Sequence, residues 1–273
     1  MPYYKGYMDT LTQLGRYHLL RVLGRGTSGL VYEGLDPALG RQVAIKVIPL
    51  AQPEDGARFM AEAQAVARLN HPHIVTVYDF GEQQGAAYLV MELITGEDLA
   101  SYFDDSQQFS LEFTLEDSVR IVCELLDALD YAHQQGLVHH DVKPANVLLT
   151  DQLRVKLTDF GMAYTPGYMS PEQIMGQEPG AQADLFAAGI ILYQFLTGTH
   201  PFKGASLLAL QQHIAYGAAA APSTLCPAIG TAFDPVVQRA LARQPAARYP
   251  TACAFRDALQ HALSITPSKG PVQ

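Results

Sequence analysis

Leu137-Val-His-His-Asp141-Val-Lys143-Pro-Ala-Asn146, followed further on by Asp159-Phe160-Gly161, is the part of the chain that decides how the rest is read. Between residues 141 and 159 it places two carboxylates, a carboxamide and an ammonium beside short apolar runs. Phosphoryl transfer demands such a set. One carboxylate takes or orients a hydroxyl proton, while the amide and the second carboxylate hold a metal on nucleotide phosphates. Taken singly, Asp141 also fits a turn former, Asn146 a helix cap and Asp159 a turn carboxylate. Their joint spacing is what carries the reading.

Upstream, Gly24-Arg-Gly26-Thr-Ser-Gly29-Leu-Val31 fits GxGxxGxV between two expected strands. Glycines there let a backbone approach phosphate oxygens with no side chain in the way. Alone the pattern also fits a flexible hairpin turn. A dinucleotide-binding fingerprint would need a strand running directly into a helix, whereas Leu30 to Leu35 continues as strand. Val43-Ala44-Ile45-Lys46 follows on a third strand. Side chains alternate along a strand, so Ala44 and Lys46 share a face, Ala44 small enough to roof a base and Lys46 long enough to reach phosphates.

The first third reads as strands at Tyr17 to Leu23, Leu30 to Leu35, Gln42 to Ile48 and Tyr88 to Leu93. A helix is expected over Pro53 to Leu69, with Phe59, Glu62, Val66 and Leu69 on one face. Glu62 would then stand on an apolar stripe, where an unpaired carboxylate is costly. Beyond Gly96 helices dominate. Thr114 and Asp117 form a capping-box pattern before a helix, and Asp184 to Leu196 is apolar nearly all round, which predicts a buried helix. Further helices are expected over Leu207 to Tyr216, Pro235 to Arg243 and Thr251 to Leu263.

The 273 residues carry 48% hydrophobic and 16% charged side chains, enough for a large core. Net charge is −9, from 18 basic and 27 acidic residues, which argues against nucleic-acid or anionic-membrane binding. Cys123, Cys226 and Cys253 lie far apart with no zinc or disulfide spacing and read as reduced, buried thiols. No signal peptide or membrane-spanning run is visible, so a cytoplasmic protein without a membrane segment is expected.

These motifs together resemble the eukaryotic-type (Hanks-type) bacterial serine/threonine protein kinase catalytic domain. The resemblance implies an α+β, two-lobed protein kinase-like fold. Residues 1–16 would be an extension, 17–263 the domain (small β-rich N-lobe 17–94, larger α-helical C-lobe 95–263) and 264–273 a tail. It implies ATP and Mg²⁺ as cofactors, with Mn²⁺ able to stand in, and a protein substrate. Asp141 would be the catalytic base, Lys143 would steady the γ-phosphate, and Asn146 and Asp159 would hold the metal. Lys46 and Glu62 map onto the family's activating ion pair. Gly24, Gly26 and Gly29 would cover the phosphates, and Val31, Ala44 and Leu148 would enclose the adenine. Met91 resembles the gatekeeper, with the Glu92–Leu93 backbone on the adenine edge. Lys143, two residues after Asp141, marks the Ser/Thr branch, and Thr165 occupies the family threonine beside the acceptor hydroxyl. Glu172 is expected to pair with Arg248, and Asp184 to bind the backbone of the catalytic loop.

Two departures occur together. His140 stands where the family usually has Arg, and the segment from Met162 to Met169 is shorter than in most relatives. The Arg normally clamps a phosphate on that segment. A short segment and a missing Arg are mutually consistent, and imply activity independent of activation-loop phosphorylation. Against the enzyme stands a pseudokinase or ATP-binding scaffold with weak catalysis, for which the short segment is the support. A small-molecule kinase is the third reading, less favoured by Lys143-Pro144-Ala145 and Ser170-Pro171-Glu172.

Overall fold

β-Branched and aromatic residues at alternate positions draw the first part of the chain into a single antiparallel sheet. The computed structural model describes residues 11–26, 29–50, 52–83, 85–103, 113–161 and 165–266. It falls into two units, Met1–Thr95 and Gly96–Gln273. In the first, β1 (Gln13–Leu14), β2 (Tyr17–Arg25), β3 (Leu30–Asp36), β4 (Arg41–Pro49), β5 (Val77–Gln83) and β6 (Ala86–Met91) are joined by helix α1 (Pro53–Val66). The sheet order is β1-β2-β3-β4-β6-β5.

Leu14, Tyr17, Tyr32, Ile45 and Val90 pack one core cluster of this unit. A buried tyrosine needs a partner for its hydroxyl, and Tyr17 donates to Asp79 Oδ2 at 2.7 Å, tying β2 to the distant β5. Gly29 has a packing reason of its own. A Cβ there would lie 2.0 Å from the Val47 carbonyl oxygen, so only glycine lets the start of β3 run this close to β4.

The second unit begins with β7 (Gly96–Asp98) and α2 (Leu99–Tyr102), then the long α3 (Leu115–Gln134). Its N-terminus is the capping box expected: the Asp117 N–H donates to Thr114 Oγ1 at 3.0 Å and the Thr114 N–H to Asp117 Oδ2 at 3.4 Å. A 3₁₀ turn (Pro144–Asn146), β8 (Val147–Thr150) and β9 (Val155–Leu157) follow, and β7-β8-β9 make a small antiparallel sheet. Then come α4 (Pro171–Ile174), α5 (Ala181–Thr197), α6 (Leu207–Tyr216), α7 (Pro222–Leu225), α8 (Asp234–Ala240) and α9 (Ala252–Ile265). Helix α5 is buried from Ala183 to Leu196, as its all-round apolar sequence predicts, and ends at Gly198 with φ 68°.

The β-rich and helical units match the fold class expected. The observed β6 runs two residues earlier than the strand expected at Tyr88 to Leu93. Strands β1, β5, β7, β8 and β9 were not anticipated. Of the three unbridged cysteines only Cys123 is buried, while Cys226 and Cys253 are half-buried. Most of the expected tail, residues 267–273, lies outside the described residues. Among the described residues no helix is long and apolar enough to cross a membrane.

Candidate active site

In the first unit, Gly24 pairs with Val31 across the β2–β3 hairpin, and the Gly26 N–H donates to the Gly29 carbonyl at 2.9 Å. Thr27 and Ser28 lie outside the described residues. Gly24 has no atom within 4 Å of a notional Cβ, and Gly26 has only the Gly29 oxygen at 3.8 Å. Internal packing therefore explains Gly29 but not Gly24 or Gly26.

Lys46 sits in mid-sheet on β4, flanked by Val31 and Leu89, and is only 4% exposed. Ala44, two residues away on the same face, pairs with Met91, and both are buried. The Glu92 N–H is committed to the Thr76 carbonyl at 2.9 Å, and the Thr76 N–H donates to Glu92 Oε2 at 3.3 Å. A backbone donor for a ligand edge along this stretch therefore falls to Leu93 rather than Glu92.

The expected Lys46–Glu62 pair is not formed. Glu62 Oε1 accepts from Arg58 Nε at 3.1 Å, one helical turn earlier, and the Glu62 side chain is 30% exposed. Among the described residues of α1, Gly56, Phe59 and Ala63 are buried. Burial of these positions sets the inward face, and the exposed i,i+4 pair with Arg58 holds Glu62 at its margin.

The second unit gathers the remaining residues. His139, His140 and Asp141 follow a sharp bend in which His140 has φ 68°, a left-handed value that costs a non-glycine residue energy. Asp184, at the start of α5 and 1% exposed, offsets that cost. Its Oδ2 accepts the His139 N–H at 2.8 Å and faces His133 Nε2 at 2.7 Å, while its Oδ1 accepts the His140 N–H at 2.8 Å. The His140 carbonyl accepts from Gln173 Nε2 at 3.0 Å.

His139 is fully buried and neutral, because burial holds its imidazole below the ordinary histidine range. Its Nε2 faces the Thr158 carbonyl at 2.8 Å, which can only accept, so Nε2 carries the proton. Its Nδ1 receives the Asp141 N–H at 3.3 Å. The ring also packs on Phe160, with centroids 4.5 Å apart.

Backbone bonds from Thr158 N–H to the Asn146 carbonyl and from Gly161 N–H to the His139 carbonyl, both 3.0 Å, stitch the two motif segments together. Val147 pairs with Leu157, so Asn146 and Asp159 flank the same end of the β8–β9 hairpin. Asp159 itself has φ 64°. Leu148 is half-buried on β8, facing away from Val147 and Leu149.

Around Asp141 the side chains converge. Asn146 Nδ2 donates to the Asp141 carbonyl at 2.8 Å and to its Oδ2 at 3.3 Å. Lys143 Nζ lies 2.7 Å from Asp141 Oδ2 and donates to Thr165 Oγ1, also at 2.7 Å. Thr165 thus meets Asp141 through the ammonium of Lys143. Residues 162–164, part of the short segment, lie outside the described residues.

With Nδ2 spent on Asp141, Asn146 has its amide oxygen left as a metal donor. Among the described residues no group of three or more His, Cys, Asp or Glu gathers around a metal position. One amide oxygen and one carboxylate suit a hard divalent ion that keeps water and phosphate as its other ligands.

Below this centre, Arg248 and Glu172 form a bidentate buried pair with two bonds of 2.7 Å. Burial raises the Glu172 carboxyl, but the bonds and charge of Arg248 outweigh it and hold the group below its ordinary range. Gln173 was not anticipated, although Ser170-Pro-Glu-Gln173 is a readable capping box: the Ser170 N–H donates to Gln173 Oε1 at 2.8 Å. Tyr168 and His200, which hold the turn after Thr165, were also missed, and their partners are distant in sequence.

A family model for the protein kinase domain matches residues 17–263. The chain is 39% identical to a probable serine/threonine-protein kinase of Streptomyces coelicolor, over 93% of this chain and 41% of the relative. It is 36% identical to serine/threonine-protein kinase PknA of Mycobacterium tuberculosis, over 91% of this chain and 62% of the relative. The chain therefore spans between two fifths and about three fifths of the length of these relatives. The solved PknI kinase domain of M. tuberculosis superposes with a TM-score of 0.80 at 32% identity, covering 93% of this chain and 99% of that one. The chain belongs to the protein kinase domain family.

Proposed function

We propose that the chain is a serine/threonine protein kinase that moves the γ-phosphoryl group of ATP to a hydroxyl of a protein acceptor, with residues 17–263 as its catalytic domain. The observation that carries this is the Asp141–Lys143–Thr165 chain, with Asn146 locked onto Asp141. In this reading the acceptor oxygen forms a bond to the γ-phosphorus as the bond to the β-phosphate oxygen breaks. Asp141 orients the hydroxyl and takes its proton. Lys143 is placed to balance charge on the moving phosphoryl group while holding Thr165 beside the acceptor.

Asn146 and Asp159 are the residues that would hold Mg²⁺, which when bound supplies positive charge to the phosphate oxygens. Lys46 is assigned to the α- and β-phosphates. Gly24 and Gly26, which packing leaves unexplained, are assigned to backbone approach. Val31, Ala44 and Leu148 are assigned to the base, Met91 to the gatekeeper position and Leu93 to the adenine edge.

Independence from activation-loop phosphorylation belongs to the same proposal. His140 carries no permanent charge with which to clamp a phosphate, and the Thr165–Tyr168 turn is held by neutral groups and Lys143 instead. Phosphatase treatment should leave activity unchanged. A large loss tied to a phosphate between Met162 and Met169 contradicts it.

The Glu62–Arg58 pairing favours the second reading, a nucleotide-binding scaffold with weak catalysis. Radiolabelled ATP with a generic acceptor separates the two. Asp141→Asn and Lys46→Ala should each lose on the order of 10²-fold in rate. Equal incorporation by wild type and both variants favours the scaffold.

A further inference from the structure

The segment after Thr165 is held at both ends of one peptide unit. The Tyr168 N–H donates to the Thr165 carbonyl at 2.9 Å, closing a turn through Pro166 and Gly167. The carbonyl of that same peptide unit, Gly167 O, lies 3.0 Å from His200 Nε2. His200 sits beyond the end of α5, and Tyr168 packs edge-on against its ring with centroids 5.5 Å apart.

A carbonyl only accepts, so the Gly167 contact requires the proton on Nε2. With the proton on Nε2, Nδ1 accepts the Phe202 N–H at 3.2 Å, and the Phe202 carbonyl, 2.8 Å away, faces the Nδ1 lone pair and is not hydrogen-bonded to the ring in this tautomer. Burial holds the His200 ring below the ordinary histidine range, which agrees with this single-donor form. The peptide plane cannot swing while its oxygen is on His200 and its N–H on Thr165. The Thr165 carbonyl belongs to the residue whose hydroxyl takes the Lys143 ammonium, and Lys143 touches Asp141.

We propose that His200 is a positioning residue for the acceptor side of the reaction: its Nε2–H fixes the Gly167–Tyr168 peptide, and through it holds Thr165 against Lys143. This rests on the kinase reading of the site.

The test uses His200→Met, which keeps bulk but has no donor, and His200→Gln, whose amide nitrogen reaches the place of Nε2. Steady-state kinetics with a generic acceptor protein is paired with hydrogen exchange of residues 165–170 in the ligand-free protein. His200→Met should raise the acceptor KM about fivefold, the worth of one hydrogen bond, with the ATP KM unchanged and exchange at Tyr168 accelerated. His200→Gln should restore both. An unchanged ATP KM also shows that the variant is folded. If His200→Met does not fold, His200→Asn, too short to reach Gly167, takes its place with the same expectations.

An active wild type whose His200→Met variant keeps both the acceptor KM and slow exchange overturns the role of His200 alone. A wild type that transfers no phosphate overturns the kinase reading and the acceptor role with it. Exchange still decides whether His200 holds the turn.

Discussion

The guanidinium of Arg248 grips the carboxylate of Glu172 through two parallel bonds of 2.7 Å, with the arginine side chain wholly shielded from solvent. Its remaining donors reach the carbonyls of Ala242, Gln182 and Arg243, at 2.8, 2.8 and 3.0 Å, and the group lies over the Phe186 ring. A buried pair with every donor satisfied stabilises a fold chiefly by being complete, since removing one partner strands the other in a medium that solvates charge badly.

Arg248→Ala should therefore cost about 3–5 kcal/mol, read as a lower denaturant midpoint for Gly96–Gln273. A loss below about 1 kcal/mol, the range of exposed pairs, contradicts the reading of this pair as a structural support.

His139 makes stability depend on pH near neutrality. Burial depresses its folded-state pKa, so the unfolded chain binds the extra proton more readily than the folded one. The contribution is fully present above the unfolded value of about 6.5 and is lost as pH falls below it toward the folded value. Melting curves between roughly pH 7.5 and 5.5 should show a decline that His139→Gln flattens. Parallel curves for the two proteins contradict it.

Glycine substitutions should separate packing from ligand approach. Gly29→Ala meets the Val47 carbonyl and should destabilise the protein by about 1–3 kcal/mol. Gly24→Ala and Gly26→Ala find open space, so thermal stability should hold while nucleotide affinity falls. Equal melting temperatures for all three would falsify the packing argument for Gly29.

Arg58→Ala releases Glu62 from an exposed i,i+4 pair worth about 0.3–0.5 kcal/mol. Transfer rate should rise by no more than about twofold, with the melting temperature almost unmoved. A fall in rate would show that Arg58 supports the active arrangement instead of competing with Lys46 for Glu62.

The motif residues were legible in the sequence because each is placed by short spacing. Asp141, Lys143 and Asn146 stand on one loop, and the capping box at Thr114 and the helix over Leu207 to Tyr216 are local patterns. Strand β5 was not legible. Its sequence Val-Tyr-Asp-Phe-Gly-Glu-Gln carries Asp79 and Gly81, and its place is set by a ladder to β6 and by Tyr17 from far upstream. Glu62 was misplaced because Ala63, small and weak as a hydrophobic signal, is the residue that α1 turns inward. Gln173 and His200 could not be assigned from local pattern alone, since each bonds a backbone carbonyl 33 positions away.

Helix α5 carries Asp184 in its first turn and Gln194 near its last, where Gln194 Oε1 accepts the Tyr168 phenol at 3.0 Å. One end thus anchors the loop that bears Asp141, and the other anchors the turn that bears Thr165. The helix acts as a ruler whose graduations are residues, about 1.5 Å and 100° apart. Its length is under tighter constraint than its composition. Adding or removing a single residue between these two anchors would rotate one about 100° out of phase with the other, whereas a swap of similar volume would leave the gauge intact.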